Sequence, residues 1–205
     1  MEKIHIDLEP HQRIFFTSDT HFGHKNVLEF CQRPFVDIKD MAVRMIEKWN
    51  SVVRPCDYVF HQGDVCWFNS RHETRKILNQ LNGTIYVTLG NHDKKEQFEL
   101  CDPEKIKVLG DVTTLYVTGN EMQEKPSKPI EIFLSHEPMM TWPHRERGVP
   151  NLFGHVHWGP NCQNKTDNDL PLWPLQYDTG TDNNNYTPIE LTEVLKKIQY
   201  ERYRS

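Results

Sequence analysis

Closely spaced cysteines are missing from this sequence. Its five cysteines are odd in number and form no C-x-x-C pair. Such a set favours the reduced thiols of a cytoplasmic protein over a disulfide framework. It also argues against a structural zinc knot, which needs closely paired thiolates.

Long apolar runs are missing as well. No stretch approaches the roughly 18 to 20 apolar residues that a membrane-spanning helix requires. The first ten residues are charged and lack the apolar segment of a secretory signal. We therefore predict a soluble, cytoplasmic protein that has no membrane partner.

The sequence also lacks an excess of positive charge. The chain carries 29 acidic against 24 basic residues, a formal net charge of -5. Long duplex nucleic acid is gripped by basic surfaces, so this balance argues against such a partner. It leaves room for a small phosphorylated substrate, because metal ions in a site supply positive charge of their own.

The apolar pattern of the first half predicts strands that alternate with helices. Short apolar runs at residues 13–18, 57–61 and 84–89 indicate buried strands. Helical spacing over residues 39–53 and a capping-box pattern at residues 70–73 predict helices, the second of which is expected to end at Gly83. This rhythm is typical of an α/β fold with mostly parallel pairing.

The second half is predicted to contain more strand. Strands are expected over residues 112–118 and 130–135, and Thr192 is expected to cap a final helix that runs to about residue 203. The chain is short enough for one hydrophobic core, so we predict a single domain over residues 1–205. Irregular structure is expected at residues 119–129, 158–174 and 182–186.

Polar side chains gather where the predicted strands end, which is where α/β sheets bind their ligands. They are Asp19, His21, Asp64, Asn91, His92, His136, His155 and His157. Each alone has an ordinary explanation as a surface histidine, a helix cap or a turn former. Together, carboxylate, imidazole and amide groups suit Mn, Fe, Zn, Co or Ni better than the all-oxygen shell of magnesium.

Two pairs of these candidates are spaced so that the side chains of each pair could act together. Asp19 and His21 lie two residues apart, as do His155 and His157. On an extended chain the two side chains of each pair would share one face. Each pair could therefore hold one ion or address two neighbouring ions.

Five motifs, in order, resemble those of the calcineurin-like metallophosphoesterases. They are Asp19-x-His21, Gly63-Asp64, Gly90-Asn91-His92-Asp93, Ser135-His136 and Gly154-His155-x-His157. The resemblance extends from Arg13 to about His157, and the sequence around Arg33 is similar to a compact bacterial and phage branch. It implies a four-layer αββα sandwich, with two mixed β-sheets packed face to face and flanked by helices.

The resemblance also implies a pair of divalent transition-metal ions, with manganese expected first and Fe, Zn, Ni or Co as alternatives. One ion would be held by Asp19, His21, Asp64 and His157. The other would be held by Asp64, Asn91, His136 and His155, which makes Asp64 the bridging ligand. A hydroxide shared by the two ions would then attack phosphorus.

Four further residues receive roles from the same comparison or from their position. By the resemblance, His92 protonates or stabilises the leaving oxygen, and Asp93 holds the His92 imidazole in its productive tautomer. His24 and Asn26 follow the first motif and could contact the phosphate, or could serve only as loop and cap residues.

One departure from the family pattern follows the second motif. Many relatives place a further charged residue a few positions after Gly-Asp, whereas here the next four residues are Val65, Cys66, Trp67 and Phe68. Substrate contacts of the phosphoprotein phosphatase branch are therefore not carried over to this chain.

These observations favour a metal-dependent phosphoesterase, with a phosphodiester of a small nucleotide-type substrate preferred over a phosphomonoester. Two alternatives stay open. One is a nuclease that acts on nucleic-acid ends, which a salt-sensitive exonuclease activity would reveal. The other is a catalytically silent scaffold with the same fold, which would bind metal without turnover.

Overall fold

The computed structural model describes residues 1–119, 128–158 and 172–200. Within these ranges the strands are β1 Glu2–Asp7, β2 Ile14–Thr17, β3 Tyr58–His61, β4 Thr84–Val87, β5 Ile106–Val108, β6 Val112–Thr118, β7 Ile130–Ser135, β8 Asn151–Phe153, β9 Gln176–Asp178 and β10 Ile189–Glu190. The α-helices are α1 Val27–Phe30, α2 Ile38–Val52, α3 Arg71–Leu78 and α4 Leu191–Lys197, and short 3-10 helices span Lys95–Phe98 and Arg145–Arg147.

The strands form two five-stranded sheets. One has the order β10-β2-β3-β4-β5, and its four strands from β2 to β5 are parallel. The other has the order β1-β6-β7-β8-β9 and contains one antiparallel pair, β6 with β7. The prediction of two mixed sheets with flanking helices is thereby confirmed.

The main core lies between the two sheets. Phe16 and Phe60 from the first sheet pack in one buried cluster with Leu115, Ile132 and Leu134 from the second. Because alternate residues of a strand face opposite sides, the neighbours of these residues face outward. Phe15 and Val59, for example, belong to a different cluster on the outer face.

Helices α2 and α3 cover that outer face. In α2 the buried residues Met41, Met45 and Trp49 recur every four positions and pack in one cluster with Val59. The helix starts at Asp37, whose carboxylate accepts hydrogen bonds from the first free backbone amides of the helix. The predicted amphipathic helix is therefore present within one residue of its expected bounds.

Several predicted boundaries are corrected by the structure. Helix α4 begins after Glu190, so Thr192 lies inside it, and the helix ends at Lys197. Helix α3 ends at Leu78, before Gly83, and the side chain of Ser70 makes no capping hydrogen bond. Strand β1 was not predicted, while most of residues 119–129 and 158–174 lie outside the described ranges.

The topology brings five strand ends to one edge of the sandwich. Strands β2, β3 and β4 are parallel, so the loops after them leave the first sheet on the same side. Strands β7 and β8 are also parallel and direct their following loops toward this edge. All eight candidate residues of the sequence lie in these five loops. None of the helices in the described ranges is long and apolar enough to cross a bilayer.

Candidate metal centre

The loops after β2 and β8 build the first half of the site. Asp19, His21 and His157 offer one ligand atom each, and these atoms all lie within 4.8 Å of one another. The Nε2 atoms of His21 and His157 are 3.3 Å apart. Two nitrogens bound to one ion at about 2.1 Å each would lie about 3.0 to 3.4 Å apart, so this spacing suits a shared cation.

The loops after β4, β7 and β8 build the second half. The Oδ1 atom of Asn91 lies 2.9 Å from Nε2 of His136 and 3.2 Å from Nδ1 of His155. The other ring nitrogen of His136 lies 2.7 Å from the carbonyl oxygen of Gln62, a contact that fixes the ring plane. Amide oxygen and imidazole nitrogen thus converge at a second position.

Asp64 stands between the two halves. Its Oδ2 atom is 3.4 Å from Nε2 of His21 and 3.6 Å from Nε2 of His136. Burial and the negative charge of Asp19 raise the pKa of the Asp64 carboxyl. Two buried carboxylates that oppose each other in this way are stabilised by a cation, so the donor set fits the divalent metals expected from the sequence.

The backbone at the site is left-handed where the ligand candidates sit. The φ angles of Asp19, His21, Asp64, His155 and His157 lie between 49° and 70°. The pairs two residues apart therefore reach the site through left-handed turns, and not along an extended chain as predicted. Each such residue costs on the order of 1 to 2 kcal/mol, which the surrounding contacts must offset.

Hydrogen bonds and close packing hold these turns. The backbone N–H of His155 donates to both carboxylate oxygens of Asp19, at 3.1 and 2.9 Å. A Cβ atom at Gly154 would lie 2.5 Å from Oδ2 of Asp19, and one at Gly90 would lie 2.2 Å from Oδ1 of Asp64. The two glycines are therefore required by the approach of the loops to the carboxylates.

A buried ion pair behind the first half was missed by the sequence analysis. The guanidinium of Arg33 donates two hydrogen bonds to Asp182, both 2.8 Å long. It also donates to the carbonyl oxygens of Asp19 and Thr20, at 2.6 and 2.9 Å. Arg33 therefore ties the loop after β2 to the turn that follows β9.

Asp182 connects this ion pair to His157. Its Oδ2 atom lies 2.9 Å from Nδ1 of His157, so the Nε2 atom of that ring is left to face the site. Burial alone would lower the pKa of His157, but the charge of Asp19 and the hydrogen bond with Asp182 raise it to about 11. Since ligation needs the neutral ring, cation binding at this position releases that proton.

His21 and His157 differ in charge as a result. Burial, and then the positive charge of His157, lower the pKa of His21 well below its ordinary value. The His21 ring is therefore neutral at physiological pH, the form that ligates metals. One ring offers a lone pair, while its neighbour carries the charge that balances the carboxylates.

His92 lies at the open side of the site. Its Nε2 atom is 4.0 Å from Oδ2 of Asp64, and 42% of its side chain is exposed. Its backbone N–H donates to Oδ1 of Asp64 at 3.0 Å. The loop after β4 thus fixes the residue while its ring remains accessible to a substrate.

Asp93 does not take the position expected for it. Its carboxylate accepts hydrogen bonds from the backbone N–H groups of Asp64, Val65 and Gly90, and from Gln97. In the described part of the chain, the Asp93 carboxylate forms no hydrogen bond with the His92 ring. Asp93 therefore locks the loop after β3 to the loop after β4, and the ring that packs on His92 is Trp67, at 4.5 Å between centroids.

The two weaker candidates, His24 and Asn26, lie in different surroundings. The His24 ring lies 5.3 Å from the ring of His21, so it borders the site. Asn26 begins helix α1 and is exposed, and its carbonyl oxygen accepts from Phe30. Within the described ranges the Asn26 side chain makes neither a capping hydrogen bond in α1 nor a hydrogen bond to the ligand candidates, so a phosphate contact of Asn26 stays a prediction.

The family of this chain follows from its similarity to known proteins. The profile of calcineurin-like phosphoesterases matches residues 12–172. The chain belongs to this family. Membership of the calcineurin-like phosphoesterases indicates metal-dependent hydrolysis of a phosphoester, in agreement with the clustered histidines and carboxylates.

Two relatives of this calcineurin-like phosphoesterase have names that give no activity. The uncharacterized protein MJ1445 of Methanocaldococcus jannaschii is 42% identical over 48% of this chain and 57% of its own length. The chain thus covers little more than half of that relative. The Gene 66 protein of Mycobacterium phage L5 is 24% identical over 70% of the chain and 76% of its own length.

A solved structure shares the fold. The crystal structure of the protein of unknown function AQ665 from Aquifex aeolicus superposes with a TM-score of 0.62 and 25% sequence identity. The superposition covers 91% of this chain and 99% of the other. The agreement supports the sandwich architecture that the sequence motifs imply.

Proposed function

We propose that this calcineurin-like phosphoesterase hydrolyses a phosphodiester of a small nucleotide-type molecule with the help of two divalent transition-metal ions, manganese first among them. The observation that carries the proposal is the position of Asp64. One of its oxygens lies within 3.6 Å of histidines from both halves of the site. A carboxylate so placed suits the bridging ligand of a two-metal centre.

The ligand assignment follows the two halves. Asp19, His21, Asp64 and His157 would hold one ion, and Asp64, Asn91, His136 and His155 the other. Such ions, when bound, supply Lewis acidity toward the phosphoryl oxygens and the attacking water. The chain itself contributes the spacing of the ligands and the fixed ring planes of His136 and His157, which would allow both ions to contact one phosphate.

His92 is proposed as the group that assists the leaving oxygen. Its ring borders the site and is exposed on one side, so it can reach an ester oxygen that points outward. A histidine in this position can donate a proton to that oxygen as the P–O bond breaks. Trp67, packed against the ring, is proposed to orient it in place of Asp93.

The space beside His92 provides room for an organic group on the leaving-group side. A groove of about 460 Å³ starts at Asn91 and His92 and runs along Trp67 and Phe68. The leaving group of a phosphomonoester and that of a phosphodiester would fit there equally well. The preference for a diester is therefore the part of the proposal that paired ester substrates must test.

The scaffold alternative is disfavoured by the convergence of the donor atoms. Loss of chemistry in a fold of this kind is expected to scatter or replace ligands, because nothing then offsets the left-handed backbone at five of them. In this chain the strained turns are present, and the donor atoms of their side chains converge on one site. We therefore propose an active enzyme.

Turnover by metal-stripped protein tests this proposal. Bis-p-nitrophenyl phosphate and p-nitrophenyl phosphate are offered separately, with Mn, Ni, Co, Zn or Mg added back. We expect manganese to restore cleavage of the diester, and Asp64→Asn to abolish it, while His11→Ala, an exposed histidine far from the ligand loops, stays unchanged. Cleavage of the monoester alone would keep the metal chemistry and reject the diester.

A further inference from the structure

Trp67 is an unusual residue in the loop after β3. It follows two fully buried residues, Val65 and Cys66, yet 44% of the tryptophan itself is exposed. Its backbone is fixed, since its N–H donates to the carbonyl oxygen of Phe22 at 2.7 Å. A large aromatic surface is thus held at the mouth of the site and left open to solvent.

Two histidines hold the indole ring of Trp67 in place. The His24 ring stacks on it at 4.1 Å between centroids, with 10° between the planes. The His92 ring packs against it at 4.5 Å with a tilt of 54°. The indole is therefore preorganised, so that stacking of a ligand would cost little side-chain entropy of Trp67. Because His24 covers one face, a ligand would stack on the indole surface that stays exposed, 44% of the residue.

The exposed part of Trp67 lines the groove of about 460 Å³ beside His92. This volume is in the range of pockets that take small molecules, about 300 to 1,000 Å³. The charged residues of the lining carry both signs, since Arg71 is paired with Glu99, and Lys94 and Glu96 both line the groove. The feature that distinguishes the groove is its aromatic face, which selects a flat ring and not a second anion.

The position of the groove fixes which part of a ligand it receives. Asn91 and His92 belong both to the groove and to the ligand loops, so a phosphate at the metal centre would have room for its ester substituent beside Trp67. Purine and pyrimidine rings stack on such faces with little preference among the bases. The ring end of a nucleoside phosphate therefore matches the groove in shape and chemistry.

We propose that this groove, lined by Trp67, Phe68, Asn91 and His92, binds the base of a nucleoside phosphate, stacked on the indole of Trp67. The assignment rests on the proposed function for the position of the phosphate. It goes further by naming the substrate class, a phosphate ester whose leaving group carries a nucleobase, and by making Trp67 the residue that selects it.

Calorimetric binding of three probes tests the groove. The probes are adenosine 5′-monophosphate, ribose 5-phosphate and adenosine, titrated into the full chain loaded with manganese. Adenosine is also titrated after chelator treatment, which reports on the groove without metal. The variants are Trp67→Ala and Trp67→Phe, and the control is Trp173→Ala, another half-exposed tryptophan that is not among the groove residues.

We expect Trp67→Ala to weaken the monophosphate and adenosine by about fivefold to a hundredfold, the range for one lost stacking partner. Ribose 5-phosphate should change by less than about twofold, Trp67→Phe should retain most of the affinity, and the Trp173 variant should match the parent protein. Equal weakening of ribose 5-phosphate would overturn the proposal, because it would show general damage to the site. Unchanged binding of adenosine would overturn it as well.

The groove and the proposed function can fail separately. If neither p-nitrophenyl ester is cleaved while adenosine binding depends on Trp67, the groove stands and the proposed function is rejected. If the diester is cleaved while adenosine and adenosine 5′-monophosphate bind equally well with and without Trp67, the proposed function stands and the groove is rejected.

Discussion

The two halves of the candidate metal centre are built differently. Asp19 and His21 are buried, the His157 side chain is 14% exposed, and the Arg33–Asp182 ion pair supports this half from behind. In the other half His136 is buried, but Asn91 is exposed, His155 is partly so, and His92 faces the solvent. One half is supported by a charged network, while the other half opens onto a groove.

This difference indicates a division of labour. Groups that must hold a fixed geometry gain from burial and from outer hydrogen bonds, which restrict their orientation. Groups that must meet a substrate need access, and their precision comes from the loop backbone, as for His92 on Asp64. Each half can therefore be disturbed by itself, and the results should differ in kind.

The largest effect is expected where the halves meet. Asp64→Asn removes the charge that both halves share, so we expect both ions to be lost and turnover to fall by more than about 10⁴-fold, or about 5.5 kcal/mol. Asparagine tolerates the left-handed φ of 58° at this position, which keeps the loop. Metal content by mass spectrometry and turnover of the p-nitrophenyl diester are measured together.

A result confined to one half would contradict the bridging position of Asp64. Retention of one ion per chain in Asp64→Asn, with the other lost, would show that the carboxylate serves a single metal. Retention of both, with turnover lost, would move Asp64 from metal binding to a role in proton transfer.

The next effect belongs to the open half. His92→Ala should lower turnover by about 10²- to 10⁴-fold, the range for a group that protonates a leaving oxygen, because alanine cannot supply that proton. Metal content should stay at two per chain, since His92 is not among the proposed ligands. The loss should also be smaller for p-nitrophenyl leaving groups than for alkyl ones, which need the proton more. A parallel loss of bound metal would make His92 a ligand.

A smaller and more selective effect is expected in the first half of the site, which the Arg33–Asp182 ion pair supports. Asp182→Asn keeps the shape of the side chain but removes the charge between Arg33 and His157, so the hydrogen bond that orients the His157 ring is weakened. We expect the affinity for one of the two ions to fall by about tenfold to a hundredfold, while the other ion binds as before. Competition with a chelator of known affinity measures this directly.

Asp57→Asn is the matched control for that variant. Asp57 is another fully buried carboxylate clasped by arginines, Arg54 and Arg13, but it precedes β3 and lies at the opposite end of the strand from Asp64. Its replacement should leave both metal affinities unchanged. An equal loss in the two variants would trace the effect of Asp182 to general destabilisation.

The sequence alone predicted much of the site for a definite reason. The candidate ligands occur in short local motifs directly after apolar runs, so strand prediction and chemistry pointed to the same positions. The strands at Val112–Thr118 and Ile130–Ser135 were predicted with their observed bounds, because long apolar runs mark them clearly. The left-handed turns at Asp19 and His21 were not, since neither residue is a glycine.

Arg33 and Asp182 show what local patterns miss. They are 149 residues apart, and Asp182 lies in a polar segment that reads only as a turn. Their pairing follows from the way β9 and its turn fold back onto the loop after β2, which no local spacing reveals. Strand β1 is a different case, because the alternation of Ile4 and Ile6 with polar residues was a usable signal.

The smallest expected effect concerns stability and not function. Burial alone would raise the pKa of Asp57, but hydrogen bonds from Arg54 and Arg13 outweigh it and lower the pKa. A carboxyl with a lowered pKa in the folded state stabilises the protein above its unfolded value of about 3.9, and this contribution is lost as pH falls through the folded pKa. Asp57→Asn should therefore cost about 1 to 3 kcal/mol at pH 7 and progressively less as pH falls below about 3.9. Urea unfolding at pH 7, 5 and 3 measures the difference, and a constant difference would assign the stabilisation to hydrogen bonds that do not need the charge.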